Sequence, residues 1–364
     1  MRLLLQKLFL PLFIFFAESD AIAQQVWPSP ELEQMYKHAQ EDIELGNSKD
    51  AVVIYKQAIQ LAPGIFILYK ELARLYYQSG SYADAEQTLA SLITKPEADA
   101  ECYQLMAASY AATDKIKDAR SVLQMGLERF PASGLLYYEK GMEHEKEKKP
   151  EAALHAWLDG IAHDPAYAPD YYEAARCYLA SDNVLWGLFY GEQFLYMKHD
   201  TAGEQELKDK LFAGYKTFFD NLVMGAAPQF GTKNNKQSAN TFEEAVRQVY
   251  TSLTPVVSDG ITTENLTMVR TRFLMDWFSG YGGKYPFSLF SYEDELVRSG
   301  HFDMGNEWLF GMAESKVQYE AWNTFHPGDL NRLMEWQAAN RIQPSSTDFY
   351  NDGNMDGLFD RKKK

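Results

Sequence analysis

The chain has 364 residues, 46% of them hydrophobic, and carries a formal net charge of -16. That balance excludes a nucleic-acid footprint, because phosphate recognition needs a basic patch, and it opposes adsorption on an anionic membrane surface. The length suffices for one extended solenoid or two compact domains.

In chain order, the first element is a leader. Arg2 and Lys7 flank the start of an apolar stretch running to Ala17, and Ala21-Ile22-Ala23 supplies a small-x-small cleavage pattern. The stretch is shorter than the about 20 apolar residues that a membrane span requires, and no later segment reaches that length. The expectation is a signal peptide over 1–23, a leader over 24–31 and a mature chain exported to the periplasm, cell envelope or extracellular space.

From residue 32 to 199 the sequence repeats itself five times with a period of 34. Ala51, Ala85, Ala119, Ala153 and Gly187 open the second helix of each repeat, and Tyr55, Leu89, Leu123, Trp157 and Gly191 follow four residues later. Pro63, Pro131 and Pro165 close three of the units, with Pro96 one residue early. Tyr69, Tyr103, Tyr137 and Tyr171 share one position of the first helix, and Tyr76, Tyr110 and Tyr178 lie seven further on. Small residues let two helices approach to roughly 8–10 Å, and a closing proline cannot continue a helix. A fixed period of this length marks stacked helix pairs rather than a globular enzyme.

These residues resemble the tetratricopeptide repeat. The second repeat carries Tyr69-x-x-Leu72-Ala73-x-x-Tyr76, then Gly80, Tyr82, Ala85 and Leu89; the third carries Tyr103-x-x-Met106-Ala107-x-x-Tyr110, then Ala119, Leu123, Gly126 and Pro131. The outer repeats are more degenerate, as expected of units with a face toward solvent. The resemblance implies an all-α fold: an α-solenoid of about five helix-turn-helix repeats, a capping helix and a smaller helical C-terminal domain. It also implies a groove lined by the first helices that receives a protein or peptide segment. Mapped onto this chain, the groove positions are Tyr36, Lys70, Arg74, Tyr77, Gln104, Ala108, Tyr138, Met142, Tyr172 and Arg176. Lys70, Arg74 and Arg176 would meet carboxylates of the partner. Relatives that grip a chaperone's terminal carboxylate use a ring of Lys, Arg and Asn; Leu105, Ala108, Leu135 and Glu139 depart from that ring here.

Residues 200–224 are predicted as the capping helix, with Leu207, Leu211, Phe212, Tyr215, Phe218, Phe219 and Leu222 at helical spacing. A polar linker follows over 225–240. Helices are then expected over 241–344, the first from Thr241 and the second through Leu266, Val269, Phe273 and Trp277, with shorter ones at 291–299, 304–312, 317–325 and 330–342. Trp277, Trp308, Trp322 and Trp336 lie in this region; at helical spacing they read as core, with a carbohydrate or peptide platform as the rival. The polar tail, 345–364, holds Asp352, Asn354 and Asp356 in the spacing of half a calcium loop, but Lys363 stands where the bidentate carboxylate belongs.

Chemistry is sparse. The seven histidines are scattered without ligand spacing, and no phosphate loop, nucleophile elbow or paired-cysteine motif occurs. Cys102 and Cys177 lie two repeats apart and read as small buried hydrophobes. No catalytic residue, cofactor or metal is expected. The reading is an exported scaffold that is not an enzyme, does not span a membrane and does not bind nucleic acid. The alternative is an enzyme or carbohydrate-binding protein with its site in 241–344.

Overall fold

The computed structural model describes residues 27–181, 183–198, 201, 203–224 and 241–351. The expected signal peptide, residues 24–26 of the leader, the 225–240 linker and the Asp352/Asn354/Asp356 loop lie outside the described residues. Every regular element among those described is helical. The chain divides into two compact units, one ending at Leu92 and the other beginning at Ile93.

The first unit holds two helix pairs, α1 (Pro30–Glu44) with α2 (Ser48–Leu61) and α3 (Phe66–Gln78) with α4 (Tyr82–Ala90). Its core is Leu32, Tyr36, Ala39, Ala51, Tyr55, Ala58, Leu68, Leu72 and Leu75. The second unit holds three further helix pairs, α5 (Ala100–Ala112) with α6 (Ile116–Arg129), α7 (Gly134–Lys146) with α8 (Pro150–His163), and α9 (Ala168–Leu179) with α10 (Val184–Met197).

The 34-residue register is enforced by contacts that recur at the same offset. Tyr69, Tyr137 and Tyr171 each donate their hydroxyl to the carbonyl of the proline six residues earlier, at 3.1, 3.3 and 3.1 Å. Where the proline comes one residue early, Tyr103 donates instead to the carbonyl of Ile93 at 2.8 Å. The turn between the helices of a pair passes through a left-handed residue at Gly46, Gly80, Asp114 and Lys148, with φ of 79°, 77°, 66° and 59°. Glycine adopts that conformation freely and the other two do not. The small second-helix positions are fully packed: a Cβ on Gly187 would sit 2.8 Å from Leu179, and one on Gly191 2.8 Å from Leu211. Glycine at 191, where the other repeats have a large side chain, makes room for α11 (Glu204–Val223).

Beyond it come α12 (Thr241–Leu253), α13 (Thr263–Gly280), α14 (Ser288–Arg298), α15 (Phe302–Asn306), a π turn at Glu307–Gly311, α16 (Met312–Glu314), α17 (Lys316–Phe325) and α18 (Asp329–Ala339). The six helices expected over 241–344 are present, the third of the four short ones being α17 and the second running from α15 through the π turn into α16. Their core is continuous with that of the fourth and fifth repeats and α11, from Leu154 to Ile342. Phe189 meets Phe287 and Phe290 edge-on at 5.6 and 5.2 Å, and Trp186 stacks on Phe242 at 5.8 Å. As a result α10 is buried from Val184 to Tyr196. The second compact unit thus holds the later repeats together with the C-terminal helices.

Candidate partner-binding face

In the second unit the first helices α5, α7 and α9 lie side by side. Gln104 Nε2 on α5 donates to Glu139 Oε1 on α7 at 2.7 Å. Arg176 on α9 donates through Nη2 to Glu145 on α7 and through Nε to Glu173, one turn back on its own helix, at 2.7 Å. Tyr138 and Tyr167 meet edge-on at 6.2 Å, and Tyr172 packs on Phe194 at 5.1 Å. Gly141 and Gly126 hold the layers together: Trp157 occupies the space over Gly141 and donates Nε1 to the Tyr138 carbonyl at 3.3 Å.

Six expected groove positions fall in this unit. Gln104, Tyr138, Met142, Tyr172 and Arg176 are half-exposed on the first-helix face, and Ala108 is buried. In the first unit Tyr36 and Lys70 are buried, while Arg74 and Tyr77 are half-exposed. Tyr36 is packed between Trp27 and Tyr55, and burial with the nearby Glu71 raises its phenol to about 12. Arg74 and Arg176, expected to meet a partner's carboxylates, have carboxylate partners within the fold. Arg74 is paired with Glu71, and Arg176 with Glu173 and Glu145.

Sequence reasoning missed the acidic side of the face. Glu139, Glu145, Asp170 and Glu173 surround the tyrosines. Burial, and then these carboxylates, raise the Tyr138 phenol; burial, with Asp170 next, does the same to Tyr167. Burial raises Glu139, Glu173 and, most strongly, Asp170 above the ordinary carboxylate range. Asp170 is fully buried, and neither of its carboxylate oxygens has a hydrogen-bond partner among the described residues. The register itself carried the signal: Asp170 stands where Leu68, Cys102 and Leu136 stand in earlier repeats, each of them fully buried.

The aromatic-rich C-terminal helices place Trp277 and Trp308 in the core, whereas Trp322 and Trp336 are half-buried. Trp322 stacks on His326 at 4.9 Å along α17. A cleft with room for little more than a water molecule is lined by Tyr171, Trp186, Tyr190, Gln193, Phe287 and Tyr350. No group of three or more potential metal ligands occurs among the described residues, and no described helix is long and apolar enough to cross a membrane. Both cysteines are free, with Cys102 buried and Cys177 only partly so.

Residues 42–109, spanning the second helix pair, match the tetratricopeptide repeat family. The chain carries tetratricopeptide repeats. Similar solved structures include MamA, 18% identical, covering 44% of this chain and 93% of that one at a TM-score of 0.36. The thermophilic tetratricopeptide protein TTC0263 of Thermus thermophilus is 15% identical over 50% of this chain and 98% of its own, at 0.41. PilW, a type IV pilus biogenesis factor, is 13% identical over 55% and 96%, at 0.42. No curated protein matches the chain. A tetratricopeptide fold supports a role in protein interaction.

Proposed function

We propose that this tetratricopeptide protein is an exported scaffold that holds an extended segment of a protein partner against the first-helix face of its second unit. One observation carries the reading. The C-terminal helices bury α10, a second helix, while Tyr138, Met142, Tyr172 and Arg176 on the first helices stay half-exposed. Aromatic planes and charged groups on rigid helices suit an extended chain, which is held by stacking and charge-assisted hydrogen bonds. Binding in the micromolar range, about -8 kcal/mol, is the expectation for such a face. Export rests on the N-terminal charged-apolar-small pattern of the sequence.

A photo-crosslinking residue at Met142, expressed in the native cell envelope, tests the binding reading. It is expected to trap a discrete partner that the same residue at Gln124, on the exposed side of α6, does not. Equal labelling at the two positions overturns the assignment of the face. Protease accessibility of the chain in intact and in permeabilised cells tests the compartment.

A further inference from the structure

The repeat register shows what the first-helix face is missing. Glu71 and Arg74 in the second repeat occupy the same two positions as Glu173 and Arg176 in the fifth, and in both repeats the arginine is bonded to its own glutamate. The fourth repeat keeps the glutamate, Glu139, but has Met142 where the arginine would stand. The hydrogen bond to Glu139 comes from the neutral amide of Gln104. Met142 leaves the place beside Glu139 half-exposed, flanked by Tyr138.

The surroundings favour a cation at that place. Glu145 and Glu173 already share one guanidinium, so this face holds a cation between carboxylates of adjacent repeats. Glu139, Glu145, Asp170 and Glu173 all act on the Tyr138 phenol, so the half-exposed tyrosine lies among carboxylates. Tyrosine faces add to the attraction, since a cation over an aromatic ring is stabilised by the ring's quadrupole.

We infer that the face accepts a basic partner segment, one Lys or Arg of which takes beside Glu139 the place that Arg176 holds beside Glu173. This rests on the binding reading above and reverses the polarity expected from Lys70, Arg74 and Arg176. The partner supplies the cation, and the scaffold supplies the carboxylates and tyrosines.

The test is fluorescence anisotropy of the full chain with a labelled 12-residue peptide of alternating Lys and Ser, beside its Glu/Ser counterpart. The Lys/Ser peptide is expected to bind and the Glu/Ser peptide not to. Glu139→Gln should weaken binding about 5–10-fold. Glu44→Gln, an exposed control on α1 that removes the same formal charge, should change it less than about twofold. Met142→Arg fills the place internally and should weaken binding at least about tenfold with the melting temperature unchanged or raised.

Equal losses in Glu139→Gln and Glu44→Gln would mean that the peptide responds only to net charge, and the inference fails. Unaltered binding to Met142→Arg also overturns it. A neutral Ser/Leu peptide that crosslinks at Met142 as well as the Lys/Ser peptide does leaves the scaffold reading standing and removes only the basic specificity. Absence of any peptide crosslink at Met142 removes both.

Discussion

Arg176 donates Nε to Glu173 at 2.7 Å on its own helix while its Nη2 holds Glu145 on the helix of the preceding repeat. The arginine is thus a tie between two repeats as well as part of the exposed face. Its position in the repeat points only to a contact with a partner's carboxylate. The pairing says otherwise, because Arg176→Glu puts three carboxylates together, one of them the buried Glu173. Arg176 and Glu145 are about a third exposed, at 36% and 40% of their side chains, which screens the pair. A loss of about 1–2 kcal/mol is expected, or roughly 3–6 °C in melting temperature. An unchanged melting curve for Arg176→Glu would show that the tie contributes nothing to stability.

Asp170 gives the repeat array an unusual pH dependence. Burial, reinforced by Asp164 and Glu173, makes the folded carboxyl hold its proton to a higher pH than the unfolded one. Its contribution is therefore most favourable below the ordinary carboxylate range and is lost as pH rises through the raised folded value. Asp170→Leu, which restores the residue type of Leu68 and Leu136, should raise the melting temperature at pH 8 by several degrees. At pH 4 the gain should be much smaller. Equal gains at both values would show that the folded carboxyl titrates as the unfolded one does, with no raised value.

The left-handed turn positions offer a backbone test that involves no partner. Lys148 has φ of 59° where Gly46 and Gly80 stand in the first two repeats. A non-glycine residue in this region costs about 1–2 kcal/mol. Lys148→Gly should stabilise the protein by about 1 kcal/mol, part of the gain being offset by the greater freedom of glycine in the unfolded chain. Chemical denaturation should show a higher midpoint with an unchanged slope; a lower midpoint would count against the register of the turn.

Much of the repeat architecture was legible because one period fixes many contacts at once. Ala51, Ala85, Ala119 and Ala153 are all buried as their spacing requires, and Tyr69, Tyr137 and Tyr171 each bond the proline six residues before them. Which residues lie on the first helices was legible from the period, but how their charges pair was not. A single inward-facing position does not show its partner, whereas the Glu71–Arg74 and Glu173–Arg176 pairs emerge only when residues three apart are compared across repeats. Periodicity also marked the helices beyond Thr241, but it could not show that they share a core with α10. That core is made by contacts distant in sequence, such as Phe189 on Phe290 at 5.2 Å, for which a hydrophobic pattern gives no address.

The glycine at 141 is a steric requirement of the face rather than a turn. A Cβ there would collide with the indole of Trp157, which is fully buried and has no room to retreat. Gly141→Ala should cost about 1–3 kcal/mol through overpacking and lengthen the bond from Trp157 Nε1 to the Tyr138 carbonyl. Tryptophan emission and the melting temperature should shift together. A shift in neither would mean that α7 and α8 can separate without penalty.

A fully buried tie in the second unit is Arg270 on α13. Its guanidinium, fully buried, bonds Glu192 on α10, Glu293 on α14 and Asn306 on α15. Tyr215 on α11 donates to the other oxygen of Glu192 at 2.6 Å. Two carboxylates face one cation, and burial, opposed by Arg270 and aided by Glu192, raises Glu293 well above its ordinary range. Arg270→Met leaves both glutamates buried without their cation, and such a loss typically costs about 3–5 kcal/mol, here roughly 10 °C or more in melting temperature. The triple change Arg270→Met with Glu192→Gln and Glu293→Gln should recover a substantial part, because the carboxylates no longer need a counter-charge. If the triple variant is no more stable than Arg270→Met alone, the cost lies in lost packing of the arginine stem rather than in stranded charge.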